Sequence, residues 1–299
     1  VSVIIPAFNC ASFVGEAVRS ACEQSYEDLE VIAVDDGSTD ETAAVLEGLA
    51  RSWPKLRWIR AEHRGLAAAR NRAIREMRGE WIALLDADDI WLPEKLRRCM
   101  DFLEAHPELS IVYTPMAPVG LDGAPLEGHT KPCRSGWITE ALFHSIFVHD
   151  PAVVFHRRVI DTCGDFDESL PVSVGHEFWL RVSTRFEFGL IEEPLAYRRW
   201  HEGSVTRSNR ARSRSVKAEM LERFHEGPGC AHLSPGKARR RLASVHYKAG
   251  RALLAQGKHA EAADFLAKAG KYKAGFVRAW ALRGIARILS AARRPSCPS

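Results

Sequence analysis

Short apolar runs alternate with longer amphipathic stretches along residues 1–113. The apolar runs are rich in β-branched residues, which predicts buried strands; they occupy residues 1–5, 31–34, 56–59, 81–85 and 111–113. Apolar residues recur at helical spacing between them, which predicts helices over 12–24, 38–51 and 66–77 and another with Pro93 in its first turn. Alternating strands and helices predict an α/β fold, a doubly wound, mostly parallel sheet with helices on both faces.

Later segments show a less regular pattern. Ser38 and Glu41 form a predicted capping box, with Ser38 as the N-cap of the helix that follows. Residues 115–150 are irregular and rich in Pro and Gly, so we expect a loop over the site. A further strand is predicted at 153–155 and a helix at 177–185.

The C-terminal part of the chain is predicted to be helical after a polar, basic linker at 203–215. Residues 247–254 and 260–266 flank Gly257 and resemble one tetratricopeptide-type hairpin, too little for a repeat scaffold. Residues 276–294 mix apolar side chains with five arginines. This pattern predicts either a surface-lying amphipathic helix or a helix packed on its own domain.

Charge divides the chain in the same place. Residues 1–202 hold 21 Lys or Arg and 33 Asp or Glu, a net −12, whereas residues 203–299 hold 21 and 5, a net +16. We therefore predict an acidic domain at 1–205 and a basic helical region at 206–299. The basic region suits the anionic inner face of a membrane, or it merely balances the acidic domain. It lacks regularly interleaved aromatics, so nucleic acid is not an expected partner.

Cysteine content and hydropathy indicate the compartment. The seven cysteines are widely spaced without a C-x-x-C, so neither a zinc site nor a disulfide framework is predicted, and we expect mostly buried thiols in a reducing compartment. No signal peptide is visible, and no apolar run reaches the roughly 18 residues of a membrane span. The expected location is cytoplasmic, with peripheral binding to the membrane through the basic region.

Polar side chains follow three of the predicted strands. Asn9 comes after the first, Asp35 and Asp36 after the second, and Asp86 after the fourth. Ligands of parallel α/β sheets bind beyond the carboxyl ends of the strands. We therefore expect these residues to converge on one crevice.

Asp86, Asp88 and Asp89 place three carboxylates within four residues. Their mutual repulsion is relieved by a divalent cation, and carboxylate oxygens suit Mg²⁺ or Mn²⁺. The alternative is a helix start that favours acidic residues. Arg64 and Arg70 flank another predicted helix start, a setting that suits a diphosphate or, alternatively, a solvated basic face.

Four segments resemble, in order and spacing, the signatures of glycosyltransferase family 2. They are Val3–Asn9, Val34–Asp40, Gly65–Asn71 and Leu85–Asp89. Each motif alone is weak, but four in register are specific, and the resemblance covers roughly residues 1–205. Residues 164–168 and 197–201 resemble later landmarks of the family.

The resemblance implies a GT-A fold and an inverting hexosyltransferase. The donor would be a nucleotide sugar, usually a UDP-sugar, and the acceptor a hydroxyl of a saccharide or a lipid-linked molecule. Pro6 and Ala7 would line the nucleotide pocket, and Asp36 would bind the base. Asp86 would face the ribose or the sugar and, with Asp88, hold the metal.

The resemblance is weaker on the acceptor side. His201 is similar to a distal histidine that completes the metal shell in some members, or it is a surface-loop histidine. Members usually show an acidic pair shortly before a Leu-Trp-Leu-Arg-like helix, whereas residues 174–181 hold one carboxylate. Glu177 is the first candidate for the catalytic base, His176 the second and Asp167 a distant third.

Other function classes fit the sequence less well. A nucleotidyltransferase usually needs a Gly-rich loop after its first strand, and a dehydrogenase a G-x-G-x-x-G; the sequence has neither. A glycosidase needs paired carboxylates and transfers the sugar to water rather than to an acceptor sugar. The non-enzymatic alternative is a catalytically degenerate nucleotide-sugar-binding or scaffold protein that acts through its helical tail.

Overall fold

A computed structural model describes most of the chain; its described residues are 1–121, 123–124, 126, 132–200 and 210–291. The chain divides into two compact units, Val1–His201 and Glu202–Ser299, which are treated separately below. The predicted domain boundary after residue 205 falls within 201–209, outside the described residues, and stays a prediction.

Strands of the first unit form two sheets. In chain order they are β1 (Ser2–Ala7), β2 (Glu30–Asp35), β3 (Leu56–Arg60), β4 (Trp81–Leu84), β5 (Ile90–Trp91), β6 (Ile111–Tyr113), β7 (Met116–Val119), β8 (Val153–His156), β9 (Gly189–Leu190) and β10 (Ala196–Arg199). Within the described residues, seven of them form a sheet in the order β3-β2-β1-β4-β8-β6-β9. Its pairs are parallel except those that β8 makes with β4 and β6. The predicted α/β fold with a mostly parallel sheet is confirmed.

Helices of the first unit cover this sheet. They are α1 (Ala11–Cys22), α2 (Thr42–Ser52), α3 (Leu66–Glu76), α4 (Lys95–Ala105), α5 (Thr139–His144), α6 (Arg158–Cys163) and α7 (Val174–Val182). Val3 and Ile5 of β1 belong to the hydrophobic core that also holds the inner faces of α1 and α4. Ile4 is equally buried but points to the opposite face of the sheet, since side chains alternate along a strand. With both faces covered, β1 is a continuous apolar run.

The predicted capping box at the start of α2 is wrong. The helix begins at Thr42, not directly after Ser38. The Ser38 hydroxyl instead accepts a hydrogen bond from the Asn9 backbone N–H at 3.0 Å. The carboxylate of Asp40 caps the helix start, because its Oδ1 accepts from the Thr42 N–H at 3.0 Å. A contact between loops has displaced the local motif.

The predicted loop over 115–150 is also partly wrong, since it contains β7 and α5. β7 pairs in parallel with β10, and β5 pairs antiparallel with β10, which gives a second sheet of three strands within the described residues. Pro118 lies in β7, and proline is tolerated at the edge of a sheet. The Pro and Gly content therefore hid a strand whose partner lies far along the chain. Pro93 precedes α4 by two residues and does not lie in its first turn.

Helices make up the second unit. They are α8 (Arg210–Glu226), α9 (Pro235–Ala255), α10 (His259–Tyr272) and α11 (Val277–Ala291), with a 3-10 helix at Pro228–His232. The described part of the predicted linker, residues 210–215, is helical, so that prediction is wrong there. α9 and α10 form a hairpin around Gly257, which adopts φ 73°. Among the described residues, no helix has the length and apolar character that crossing a membrane requires.

Cysteines of the described residues are all free thiols. Cys22 and Cys99 are buried, whereas Cys230 is exposed and the others are half-buried. The prediction that most thiols are buried is therefore wrong for the described residues.

Candidate functional site

Loops at the carboxyl ends of β1 and β2 meet as expected. The Asn9 side-chain oxygen accepts a hydrogen bond from the Thr39 N–H at 2.8 Å. The Asp36 N–H donates to the Ala7 carbonyl at 2.8 Å, one step beyond the β1–β2 pairing. Pro6 and Ala7 lie buried in the last two positions of β1. The residues predicted to line the nucleotide pocket thus lie directly beneath this junction.

Asp36 is fixed by the loop that leads into α3. Its two carboxylate oxygens accept from the backbone N–H groups of Arg64, at 2.9 Å, and Gly65, at 2.8 Å. The His63 Nδ1 lies 2.9 Å from Asp36 Oδ2. Gly37 adopts φ 73°, and a Cβ there would approach the His63 backbone nitrogen to 2.8 Å, so the turn requires glycine. The N-terminus of α3 is therefore anchored beside the ends of β1 and β2.

An aromatic surface borders this junction and was missed in the sequence. Phe8 stacks on the ring of His63 with centroids 4.0 Å apart and is 44% exposed. A large apolar side chain left exposed after a buried strand is the signal that could have identified it. Stacked rings beside a buried carboxylate suit a planar heterocycle with N–H donors.

Asp86 and Arg70 form the centre of the site. The side chain of Arg70, on α3, is fully buried, and its Nη2 donates to Asp86 Oδ1 at 2.8 Å. Its Nη1 donates to Asp150 Oδ2 at 2.7 Å, and its guanidinium lies 5.3 Å from the centroid of the Phe166 ring. Arg70 thus lies beneath the site, where one guanidinium holds two carboxylates.

Asp150 was missed because it falls in the segment predicted as a loop. It begins a 3-10 helix, Asp150–Ala152, that leads directly into β8. β8 runs antiparallel to β4 and pairs Val154 with Ala83. Because of that reversal, the start of β8 lies at the same edge of the sheet as the end of β4. No local sequence signal gives the direction of β8, so the proximity of Asp150 to Asp86 could not be predicted.

Asp88 and Asp89 follow Asp86 in a tight turn. The buried Asp89 accepts from the Arg199 N–H at 3.0 Å, while the Asp88 carbonyl accepts from Arg199 Nε at 3.2 Å. Burial, reinforced by the charges of Asp88 and Asp86, raises the pKa of Asp89 well above its usual range. Arg199 also pairs with Glu16 of α1. Asp89 therefore fixes the turn, and Asp86 and Asp88 remain the candidates for ligand binding.

The carboxylates of Asp86 and Asp88 could supply part of the coordination shell of a divalent cation. Burial raises the pKa of Asp86 to about 6, with the charges of Asp150 and Asp88 adding to the effect and Arg70 opposing it. A cation near Asp86 and Asp88 would relieve that repulsion. Within the described residues, no three His, Cys, Asp or Glu side chains are grouped as a metal cage. Further ligands would have to come from a bound diphosphate and water, or from His201, which lies outside the described residues.

The segment predicted to supply the catalytic base is engaged in structural contacts. Glu177 pairs with Arg181 through both oxygens, at 3.0 and 3.1 Å. Arg181 also donates to the backbone carbonyls of 163–165. The side chain of His176 is buried, and its Nε2 lies 3.0 Å from the Leu142 carbonyl. Asp167 accepts from the Ser169 N–H at 3.0 Å within its own turn.

Asn71 ties α3 to the turn at 164–168. Its amide accepts from the Phe166 N–H at 3.0 Å and donates to the Phe166 carbonyl at 2.9 Å. It also donates to Glu168, whose second oxygen pairs with Arg64 at 2.8 Å. The two matching segments around Asn71 and Phe166 thus stabilise each other.

Comparisons with known proteins show the family to which the chain belongs. The model of the family "Glycosyl transferase family 2" matches residues 2–161. Chondroitin synthase of Escherichia coli is 32% identical over 207 residues, which cover 69% of this chain and 29% of that protein. Hyaluronan synthase of Pasteurella multocida is 31% identical over 207 residues, 69% of this chain and 21% of that protein. The chain thus matches less than a third of the length of these relatives.

Solved structures share the fold. Residues 1–349 of S. aureus TarS, in complex with UDP-GlcNAc, superpose with a TM-score of 0.67 at 18% identity, covering 97% of this chain and 87% of that chain. Mannosyltransferase PcManGT from Pyrobaculum calidifontis, in complex with GDP-Man and Mn²⁺, gives a TM-score of 0.63 at 21% identity, covering 98% and 80%. These similarities confirm the predicted GT-A fold.

Proposed function

The chain belongs to glycosyl transferase family 2, and we propose that it transfers a sugar from a nucleotide donor to a hydroxyl of a saccharide or lipid-linked acceptor. The observation that carries this proposal is the convergence of Asp36, Asp86 and Asp88 at one edge of the sheet. Asp36 follows β2, and the other two follow β4. A UDP-sugar is the proposed donor, and inversion at the anomeric carbon the proposed outcome.

The nucleoside would lie at the junction of β1 and β2. Asp36 would accept from a base N–H, and Phe8 and His63 would stack on the heterocycle. The diphosphate would lie near the N-terminus of α3, whose first turn contains no acidic residue and whose dipole favours an anion. Arg70 is fully buried, so we infer that it serves the donor by holding Asp86 rather than by contacting phosphate.

Asp86 and Asp88 would hold Mn²⁺ or Mg²⁺, with His201 as the predicted additional ligand. When bound, such a cation neutralises the charge of the leaving diphosphate. The chain's own residues bind the nucleotide, orient Asp86 through Arg70 and keep the turn at Asp86–Asp89 rigid through Arg199.

The proposed transfer is a single displacement. The acceptor oxygen attacks the anomeric carbon as the bond to the diphosphate breaks, and a base takes the hydroxyl proton. Glu177 is the base that the sequence predicts, although its carboxylate is paired with Arg181. A product that retains the donor's anomeric configuration would contradict the single displacement.

Metal-dependent nucleotide binding tests the donor half of the site. We expect UDP to bind the full chain in the presence of Mn²⁺, and Asp88→Ala to weaken that binding at least about tenfold by calorimetry. Asp101→Ala, an exposed position on α4, is the matched control and should bind UDP normally. If the unaltered chain binds UDP equally well with and without Mn²⁺, the metal assignment fails. No UDP binding at all would favour the scaffold alternative.

The basic helical unit would hold the enzyme at a membrane. We infer an anionic lipid surface as its partner, with the acceptor presented at the cytoplasmic face. Residues 203–299 carry a net +16, and α11 exposes Val277, Ile285 and Ile288. Cationic helices with an exposed apolar face bind anionic membrane surfaces without crossing them.

A further inference from the structure

We propose that Asp150, rather than Glu177, is the catalytic base of the transfer, an inference that rests on the proposed function. Asp150 shares the Arg70 guanidinium with Asp86, so its carboxylate adjoins the group expected to face the sugar. The Asp150 side chain is 14% exposed, so it is not fully buried.

The carboxylate is held in a defined orientation. Trp179 Nε1 donates to Oδ1 at 2.6 Å, and Arg70 Nη1 donates to Oδ2 at 2.7 Å. Each carboxylate oxygen has two lone pairs, so each can still accept one further hydrogen bond. These two donors fix the direction in which the carboxylate points, and a general base needs such a defined orientation.

Gly175 at the start of α7 makes room for this carboxylate. A Cβ built at Gly175 would overlap both carboxylate oxygens of Asp150. Gly175 lies in α7 and does not have a positive φ, so space rather than backbone conformation requires glycine here. The carboxylate of Asp150 thus occupies the place into which α7 would otherwise direct a side chain of its own.

Glu177 is less suited to the role. Glu177 lies on α7, but Arg181 binds both of its carboxylate oxygens. Arg181 also donates to backbone carbonyls of the turn at residues 163–165. Removal of the Glu177 charge would therefore disturb that turn. Asp150 instead links to Asp86 through a single side chain.

One bond forms and one bond breaks in the proposed step. The acceptor oxygen donates an electron pair to the anomeric carbon, and the electron pair of the bond between that carbon and the donor oxygen leaves with the nucleoside diphosphate. The hydroxyl proton passes to a carboxylate oxygen of Asp150. The proton is then released to solvent, which restores the carboxylate.

The first test compares transfer with donor binding in the full chain. UDP- and GDP-sugars are first screened as donors, and simple pyranosides as acceptors, with the unaltered chain. The pair that releases most nucleotide is then used for all variants. We expect Asp150→Asn to lower kcat by about 10²- to 10⁴-fold while the UDP affinity in Mn²⁺ stays within about twofold. Asp161→Asn, an exposed position on α6, should leave both unchanged.

The second test moves the carboxylate across the contact. Asp150→Ala removes it, and Asp150→Ala with Gly175→Asp returns a carboxylate to the same space from α7. We expect the double variant to transfer at least about tenfold faster than Asp150→Ala. Rescue of kcat at an unchanged UDP affinity would assign the chemistry to the carboxylate itself, because a purely structural role would change UDP affinity together with kcat.

Two results would overturn the assignment. If Asp150→Asn retains kcat within about threefold while Glu177→Gln loses it, then Glu177 is the base. If UDP affinity falls in parallel with kcat in Asp150→Asn, then Asp150 supports the donor site only. If the unaltered chain does not bind UDP at all, that result would instead contradict the proposed function itself.

Discussion

Lys95 on α4 is a fully buried lysine whose ammonium lies 4.0 Å from the centroid of the Trp91 ring. Its Nζ has no hydrogen-bond partner among the described residues. Burial lowers the pKa of Lys95 to about 8, and the nearby Cys99 only partly opposes this. A buried ammonium compensated by a single aromatic ring costs stability at neutral pH.

Lys95→Met should therefore stabilise the first unit, by roughly 1–3 kcal/mol at pH 7. The native pKa lies below the unfolded value, so between about pH 8 and 10.5 the unfolded state binds more protons and the stability of the unaltered chain rises with pH. The advantage of methionine should shrink across that window. Urea unfolding followed by tryptophan fluorescence measures it.

Lys55→Met is the control, because the Lys55 ammonium is exposed and donates to the Glu27 carbonyl. The stability difference between Lys55→Met and the unaltered chain should stay small across the same pH range, because both chains keep Lys95. Equal stability of the Lys95→Met and unaltered chains at pH 7 would mean that the cation–π contact fully offsets the burial.

The sequence pattern predicted that Asp36 and Asp86 lie at the same edge of the sheet, because each follows a buried strand of a parallel sheet. The pattern could not identify Asp150. Its position depends on the antiparallel course of β8 and on a glycine 25 positions later that leaves space for it. The convergence of the loops after β1, β2 and β4 was therefore predictable, and the position of Asp150 beside Asp86 was not.

At the scale of elements, the α9–α10 hairpin depends on close packing and a buried histidine. A Cβ at Gly250 would come within 2.7 Å of the Leu266 side chain, so glycine lets the two helices approach. His246 is fully buried and stacks on Tyr272 with centroids 5.7 Å apart. Burial lowers the pKa of His246 to about 4, although Glu222 opposes the shift.

The hairpin should lose stability in acid. His246 is neutral in the folded state above about pH 4, whereas the unfolded histidine takes up a proton below about pH 6.5. The unfolded state binds more protons between these values, so stability falls as pH decreases from 6.5 to 4. Hydrogen exchange of the α9 amides in the full chain measures the effect. Glu222, whose pKa is lowered, acts in the same direction at lower pH.

His246→Phe should flatten that pH dependence, because a phenyl ring can keep the stacking on Tyr272 without a titrating nitrogen. His232→Phe provides the matched control at an exposed position and should retain the full pH dependence. A His246→Phe chain as sensitive to acid as the unaltered one would mean that other groups cause the loss.

Sequence periodicity predicted this hairpin well, since Gly257 and the flanking apolar residues are local signals. It failed where pairing is non-local. β7 pairs with β10, whose partner residues lie 80 positions further along the chain. The Ser38 hydroxyl likewise accepts from the Asn9 N–H of another loop instead of capping α2. Local patterns predict elements whose partners are near in sequence.

For the whole molecule, charge and exposed apolar surface coincide in the second unit. Residues 203–299 carry a net +16, which gives attraction to anionic lipid that falls with salt. α11 adds a solvent-facing stripe in which Val277 and Ile288 are 73% and 70% exposed. The buried side of the same helix holds Ala279 and Ala286, so its larger apolar residues point outward. Such an arrangement suits insertion between lipid headgroups.

We therefore expect the full chain to bind vesicles of phosphatidylcholine that contain about 30% phosphatidylserine. Binding to vesicles of pure phosphatidylcholine should be weak. About 0.5 M salt should release most of it, because screening removes the electrostatic part. Ile285→Ser with Ile288→Ser keeps every charge and should weaken binding about tenfold or more in vesicle sedimentation, since each buried methylene contributes roughly 0.8 kcal/mol.

Leu121→Ser with Leu126→Ser makes the same chemical change at exposed positions of the first unit and is the matched control. If both double variants bind vesicles as tightly as the unaltered chain, attraction is electrostatic alone and the apolar face of α11 takes no part. If the control loses binding and the α11 variant does not, the lipid contact belongs to the first unit. The proposed arrangement requires the reverse, because only the second unit combines a strong positive charge with an outward apolar stripe.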